Sequence, residues 1–170
     1  MDCWSPGYDS EQGFWIDRIP IPPFRSFYRN RQQPVCMAQM SPEIMAAFRS
    51  CRIFPLATAS GNGEPNVAPM GAVYPRDNET IWIGNQFMKT TISNVMENPR
   101  ACLYVWGPGV RGCYKIKGDV RIETEGKNYE TMRREVAKVK PGLFCRSLLV
   151  MKVTEIYECL PGDHAGDRLA

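Results

Sequence analysis

The sequence predicts a mainly β fold, a closed six-stranded antiparallel barrel with helices plugging or flanking it. Three observations lead there. Six short β-capable stretches recur between residues 53 and 159, with turn signals between them. Gly61-Asn62-Gly63 is a strong hairpin turn, and Gly107-Pro108-Gly109 reverses the chain further on. Segments with the 3.6-residue apolar spacing of amphipathic helices interrupt the strands.

A chain of 170 residues is most simply one domain, long enough to bury a core without staples. Its 44% apolar and 23% charged residues are ordinary for a globular protein. The net charge of +3 is mild and its basic residues are scattered. That argues against a nucleic-acid surface but not against one anionic small ligand. No apolar run approaches the roughly 18 residues needed to cross a membrane. The N-terminus lacks a basic stretch followed by an apolar one, so a cytoplasmic protein without a signal peptide is expected.

Seven cysteines are present (Cys3, Cys36, Cys51, Cys102, Cys113, Cys145 and Cys159), none in a CxxC pair, and His164 is the only histidine. Dispersed thiols give no support to a zinc site, so no metal is expected. They read as reduced thiols, several of them small apolar core residues. His164 reads as a solvated tail residue, which leaves Ser-His-Asp or Cys-His catalysis without a base.

Residues 1–40 read as an extended, irregular arm. Five prolines break any period, yet Trp4, Tyr8, Phe14, Trp15, Phe24, Phe27 and Tyr28 make it too aromatic for a disordered linker. The main domain then runs over 41–160. Ser41-Pro42-Glu43 starts a helix, with a capping serine, proline in the first turn and an acid behind it. Ile44, Phe48 and Cys51 would form its buried face. Strands are expected at 53–60, 65–74, 80–84, 101–106, 113–125 and 148–159. Tyr129, Met132, Val136 and Val139 mark a helix over 127–140, ended by Pro141-Gly142. A polar tail, 161–170, closes the chain.

Two stretches carry chemistry. In 81–100, IWIGNQFMKTTISNVMENPR, a strand hands over at Gly84-Asn85 to a short helix with Ile92, Val95 and Met96 on its apolar face. Thr90 or Thr91 would cap it, and Pro99 closes it. Lys89, Thr90, Thr91 and the free N–H groups of the first turn would then converge where a phosphate could be held. A capped surface helix with a solvated lysine satisfies the same residues. In the strand containing Asn66–Ala72, Pro69 cannot donate to a ladder and Gly71 weakens it, so two strand partners are not expected. Its free peptide groups could read the polar edge of a flat ring. A bulged edge strand without a ligand remains the alternative.

The segments TASGNGEPNVAPMGAV, IWIGNQFMKTTISNVMENPRACLYVW and GCYKIKGDVRI resemble flavin-nucleotide-binding proteins related to pyridoxamine 5′-phosphate oxidase, the FMN-binding split-barrel superfamily. The resemblance covers residues 41–159 and is most specific over 66–100. The pattern Lys89, Thr91, Asn94, Val95 is also similar to the phosphate-binding turn of flavin reductases on this barrel. The resemblance implies a homodimer with two FMN molecules in clefts between the subunits. Lys89, Thr90 and Thr91 would hold the phosphate. Peptide groups of Val67, Ala68, Pro69, Met70 and Gly71, with Gly84 and Asn85, would line the isoalloxazine, and Phe87 and Met88 would pass the ribityl chain. From the second subunit, Trp106, Arg111, Cys113 and Tyr114 would close the site, with Cys113 as packing or as a redox partner.

The oxidase proper grips its substrate phosphate with arginine and histidine near the C-terminus. Here Glu158-Cys159-Leu160-Pro161 is followed only by Asp163-His164 and Arg168, so vitamin B6 oxidation is not expected. The expected function is an FMN-dependent oxidoreductase of unknown substrate, without nucleic-acid or membrane partners. The alternative is a non-enzymatic flavin carrier or sensor that contacts a protein partner through residues 1–40.

Overall fold

A computed structural model of the chain describes residues 37–139 and 141–170, so the expected aromatic arm, apart from its last four residues, lies outside the described residues. Helix α1 spans Pro42–Ser50. Ser41 caps it as expected, its Oγ accepting from the Ile44 N–H at 3.4 Å. The helix buries Ile44, Ala47 and Phe48, and Phe48 stacks on Phe54 with ring centroids 5.4 Å apart. Cys51 lies just past the helix, its N–H bonded to the Ala47 carbonyl at 3.0 Å.

Seven strands follow rather than six: β1 Phe54–Ala59, β2 Pro65–Met70, β3 Val73–Pro75, β4 Thr80–Asn85, β5 Arg100–Val105, β6 Tyr114–Glu123 and β7 Ser147–Glu158. Helix α2, Thr90–Glu97, connects β4 to β5, and α3, Lys127–Val139, connects β6 to β7. All pairings are antiparallel, and the strand order is β2-β1-β5-β6-β7-β4-β3. The extra strand arises because the stretch read as one strand breaks at Gly71-Ala72.

That break shapes the molecule. β2 and β3 are consecutive in the chain yet lie at opposite ends of the seven-strand order. A flat sheet would hold those ends roughly 29 Å apart, at about 4.8 Å per neighbouring pair. The three-residue step from Met70 to Val73 can span only about 11 Å. The sheet therefore curls until the end of β2 meets the start of β3 at this corner, the seam. Among the described residues no ladder joins the two edge strands, so the expected closed barrel is instead a curled sheet open between them. The Gly84 N–H donates to the Ala72 carbonyl at 2.8 Å, extending the β3–β4 ladder into this corner.

Inside the curl, Leu56, Leu103, Ile81, Ile83, Ile116, Leu149, Met151 and Ile156 are fully buried. A smaller cluster of Trp82, Met132, Val136, Cys145, Leu148 and Val150 fills the space between α3 and the outer face of β4 and β7. With the interior on one face and α3 on the other, β4 is buried along its whole length and loses the alternation that β5 keeps. At the bulge between Lys117 and Gly118, an added Cβ would lie 2.3 Å from the Lys152 carbonyl oxygen. Only glycine fits there.

The tail is not free. β4 pairs with β7 only over residues 147–152, which leaves the end of β7 with unpaired peptide groups on that edge. Residues 166–170 return to fill it, with Ile156 N–H donating to the Ala170 carbonyl at 2.9 Å and Leu169 N–H to the Ile156 carbonyl at 2.8 Å. Arg168 adds a bond from its guanidinium to the Thr154 carbonyl at 3.3 Å. No helix of the described residues is long and apolar enough to cross a membrane.

Candidate functional site

The site begins where β4 ends. Asn85 is buried and engaged at both ends of its amide: Nδ2 donates to Ser147 Oγ at 2.9 Å, and Oδ1 accepts from the Met88 N–H at 2.9 Å. The second bond folds residues 85–88 into a tight connection that delivers the chain to α2. Asn85 thus shapes the loop, and its side chain has little left for a ligand.

Lys89 stands at the N-cap of α2 and makes no side-chain cap, and the first turn carries no acidic residue. The expected threonine cap is absent. Thr91 faces inward, 2% exposed, and its Oγ1 accepts from Asn66 Nδ2 at 3.1 Å; Thr90 and Lys89 are exposed. Among the described residues the first-turn N–H groups therefore have no side-chain acceptor, and the positive end of the helix dipole meets no carboxylate within that turn. An exposed ammonium stands beside them.

A buried polar network holds this helix in place. Asn66 Nδ2 also donates to Thr58 Oγ1 at 3.1 Å, and Asn94 Nδ2 donates to the same oxygen at 3.2 Å. The buried face of α2 is accordingly Thr91, Asn94 and Val95, whereas Met96, read as apolar face, is 75% exposed. At the other end Asn98 Nδ2 donates to the Ala59 carbonyl at 3.2 Å, and the Glu97 carboxylate accepts from the Gly61 N–H at 2.9 Å. Sequence reasoning missed Thr58 and did not single out Asn66 as a partner; hydroxyl and amide side chains at buried alternations of paired strands were the available signal.

Next to Lys89 lies a cleft of about 250 Å³ walled by residues 68–72 on one side and Gly84, Gln86, Phe87 and Met88 on the other. The seam forms its floor. Among the described residues β2 has a strand partner on one side only, so alternate peptide groups along it face away from β1. Gly71 opens the wall, since a Cβ built there meets nothing within 4 Å. Of the residues expected to line a ring, Ala68, Pro69, Met70, Gly71 and Gly84 share this cleft, together with Phe87 and Met88, which were expected along the ribityl chain. Val67 is on the same strand, 66% exposed. Gln86 was not anticipated.

A model of the family described as pyridoxamine 5′-phosphate oxidase matches residues 40–160, the whole stretch from α1 through β7. The chain belongs to the pyridoxamine 5′-phosphate oxidase family. An uncharacterized protein of Methanocaldococcus jannaschii is 33% identical over 141 residues, covering 79% of this chain and 90% of that protein. Among solved structures, Group A Streptococcus HupZ superposes with a TM-score of 0.65 at 21% identity, covering 75% of this chain and 99% of that one. An FMN-binding protein of Syntrophomonas wolfei gives 0.59 at 15% identity, covering 66% and 80%. These structures establish the split-barrel fold of this family member.

The remaining expected residues lie elsewhere in this pyridoxamine 5′-phosphate oxidase relative. Trp106, 57% exposed, borders a separate concavity of about 440 Å³ with Cys51, Arg52, Ile53 and Pro108. Arg111 is exposed, while Cys113 and Tyr114 are 4% and 8% exposed. Cys113 Sγ donates to the Tyr104 hydroxyl at 3.0 Å, and burial pushes its thiol above the usual range. It is a protonated, packed thiol. None of these four shares the cleft beside Lys89 within one chain. In the tail, Arg168 is spent on backbone carbonyls, and His164 pairs with Asp167 at 3.0 Å on the surface. Among the described residues no cluster of three or more His, Cys, Asp or Glu could hold a metal.

Proposed function

We propose that this chain binds FMN in the cleft at the seam and serves as a flavin-dependent oxidoreductase. One observation carries the reading: a helix start with no side-chain cap and no acid in its first turn, beside Lys89, adjoins a cleft walled by the 68–72 backbone. A flavin nucleotide is a flat amphipathic ring tethered to a dianionic phosphate. The first-turn N–H groups, Thr90 and Lys89 suit the phosphate, and outward peptide groups of β2 suit the ring's polar edge. Thr91, sealed against Asn66, would orient the helix rather than touch the phosphate. When bound, the flavin supplies the redox chemistry. The chain's own part would be to hold and position it, with Met70 and Ala72 in the wall of the cleft.

The cleft's volume of about 250 Å³ falls below the roughly 300–1,000 Å³ of small-molecule pockets. A second wall is needed, and a second copy of the chain is our proposal for it. Trp106 and Arg111, exposed in the single chain, are the expected residues free to reach across; Cys113 and Tyr114 are already packed in their own chain. The Syntrophomonas structure supports the cofactor by its own description as FMN-binding. The engaged Arg168 and exposed His164 do not support vitamin B6 oxidation.

The visible spectrum of freshly purified protein tests this reading. Flavin absorption that survives gel filtration, at one equivalent per chain, is expected after loading with FMN. Protein that takes up no FMN would overturn it.

A further inference from the structure

Beyond the cofactor cleft, and sharing residues 69–72 and Gln86 with it, lies a larger cleft of about 670 Å³. That volume lies within the range of small-molecule pockets. Its far walls come from separate elements: Arg52 and Ile53 between α1 and β1, Tyr74 of β3, and Val136 and Val139 of α3. The chemistry of the lining is asymmetric. Among the described residues Arg52 is its one charged residue and joins no ion pair. Ile53 and Val139 are 61% and 68% exposed, so apolar surface stands uncovered beside a guanidinium. Burial first, and the Glu135 carboxylate second, push the Tyr74 phenol up. It therefore remains a neutral hydrogen-bond donor.

We propose that this second cleft is the substrate pocket, and that it takes a small apolar molecule carrying one carboxylate or similar anionic group. Arg52 receives the anion, while Ile53, Val136 and Val139 hold the apolar body against the shared wall. The assignment rests on the flavin reading for its meaning as a substrate site, because the shared wall places such a molecule next to the cofactor cleft. A guanidinium matches a carboxylate in planarity as well as charge. An apolar cleft with one unpaired cation discriminates against the neutral analogue, which would leave that cation without a partner.

Benzoate and its neutral counterpart benzamide are suitable probes. Titrated calorimetrically into FMN-loaded protein, benzoate should bind saturably at one site per chain and benzamide at least about tenfold more weakly. Arg52→Gln should weaken benzoate by about tenfold or more, with FMN affinity unchanged, and Arg52→Lys should restore part of the loss. Arg52 is exposed, so these variants should fold as the parent does. Equal binding of the two probes, no loss in Arg52→Gln, or no benzoate binding to FMN-loaded protein would overturn the pocket assignment alone. Failure of the parent chain to take up FMN, seen first in the visible band, would instead overturn the cofactor reading.

Discussion

Asn66 of β2 donates from Nδ2 to Oγ1 of Thr91 in the first turn of α2, 3.1 Å away. This bond ties the edge strand of one cleft wall to the helix start that carries Lys89. Thr58 receives the second Asn66 contact and one from Asn94. Thr91→Val removes one acceptor and should cost about 1–3 kcal/mol in urea unfolding. Thr58→Val strands two donors and should cost more than Thr91→Val. Equal, negligible shifts in the unfolding midpoint would remove the network from the account of how α2 is held.

Lys89 is exposed and bonds to no side chain among the described residues, so its removal should be felt by the ligand rather than by the fold. Lys89→Ala should leave the urea midpoint unchanged and weaken FMN binding by roughly 1.5–3 kcal/mol, the range for a hydrogen bond to a charged group. Fluorescence titration of flavin quenching reads this directly. Raising the salt concentration should weaken the parent more than the variant.

Two glycines should respond in opposite ways. At Gly71 an added Cβ meets open space, so Gly71→Val should keep stability yet fill the cleft and abolish measurable FMN uptake. At Gly118 the same Cβ would lie 2.3 Å from the Lys152 carbonyl oxygen. Gly118→Ala should therefore lose at least the roughly 1–3 kcal/mol of an overpacked core. Circular dichroism melts with parallel FMN titrations separate the two effects.

The outer face of β6 and β7 should govern acid stability. The Tyr157 hydroxyl donates to Glu155, and Lys117 Nζ sits 3.2 Å from the same carboxylate. The Tyr157 hydrogen bond, then the Lys117 contacts, hold the Glu155 carboxyl below its ordinary 4.5. A depressed carboxyl stabilises the fold above pH 4.5 and loses that contribution as pH falls through the folded value. Glu155→Gln should thus lower the melting temperature at neutral pH and flatten its decline below pH 4.5. An acid limb of unchanged steepness would show that other carboxylates dominate.

Much of this fold was legible because local chemistry and tertiary structure agree. Ser41-Pro42-Glu43 starts a helix wherever it is placed, and Gly61-Asn62-Gly63 turns a hairpin on its own. Pro69 ruled out a central strand by the missing N–H alone, and β2 is indeed an edge. Thr91 was misread because a threonine near a helix start looks like a cap. Its hydroxyl goes inward only because Asn66, 25 positions away, arrives within hydrogen-bonding distance. How the tail docks was not legible for a related reason. Polar composition describes residues 161–170 well, but not that β7 outruns β4 and leaves an edge to be filled.

By itself the sequence determined the helices and most of the strands, though not the break that splits 65–74 into β2 and β3. It also determined where Lys89 stands relative to a helix start, and which backbone near Gly71 is stripped of donors and side chains. These depend on residues a few positions apart, where sterics and hydrogen bonding act locally. Only the tertiary structure decided that β2 and β3 meet as opposite edges, that Thr58, Asn66 and Asn94 lock α2, and that Arg52 stands over a cleft shared with residues 69–72. Those contacts join distant parts of the chain, and curling the sheet fixes them through the positions of all its strands at once.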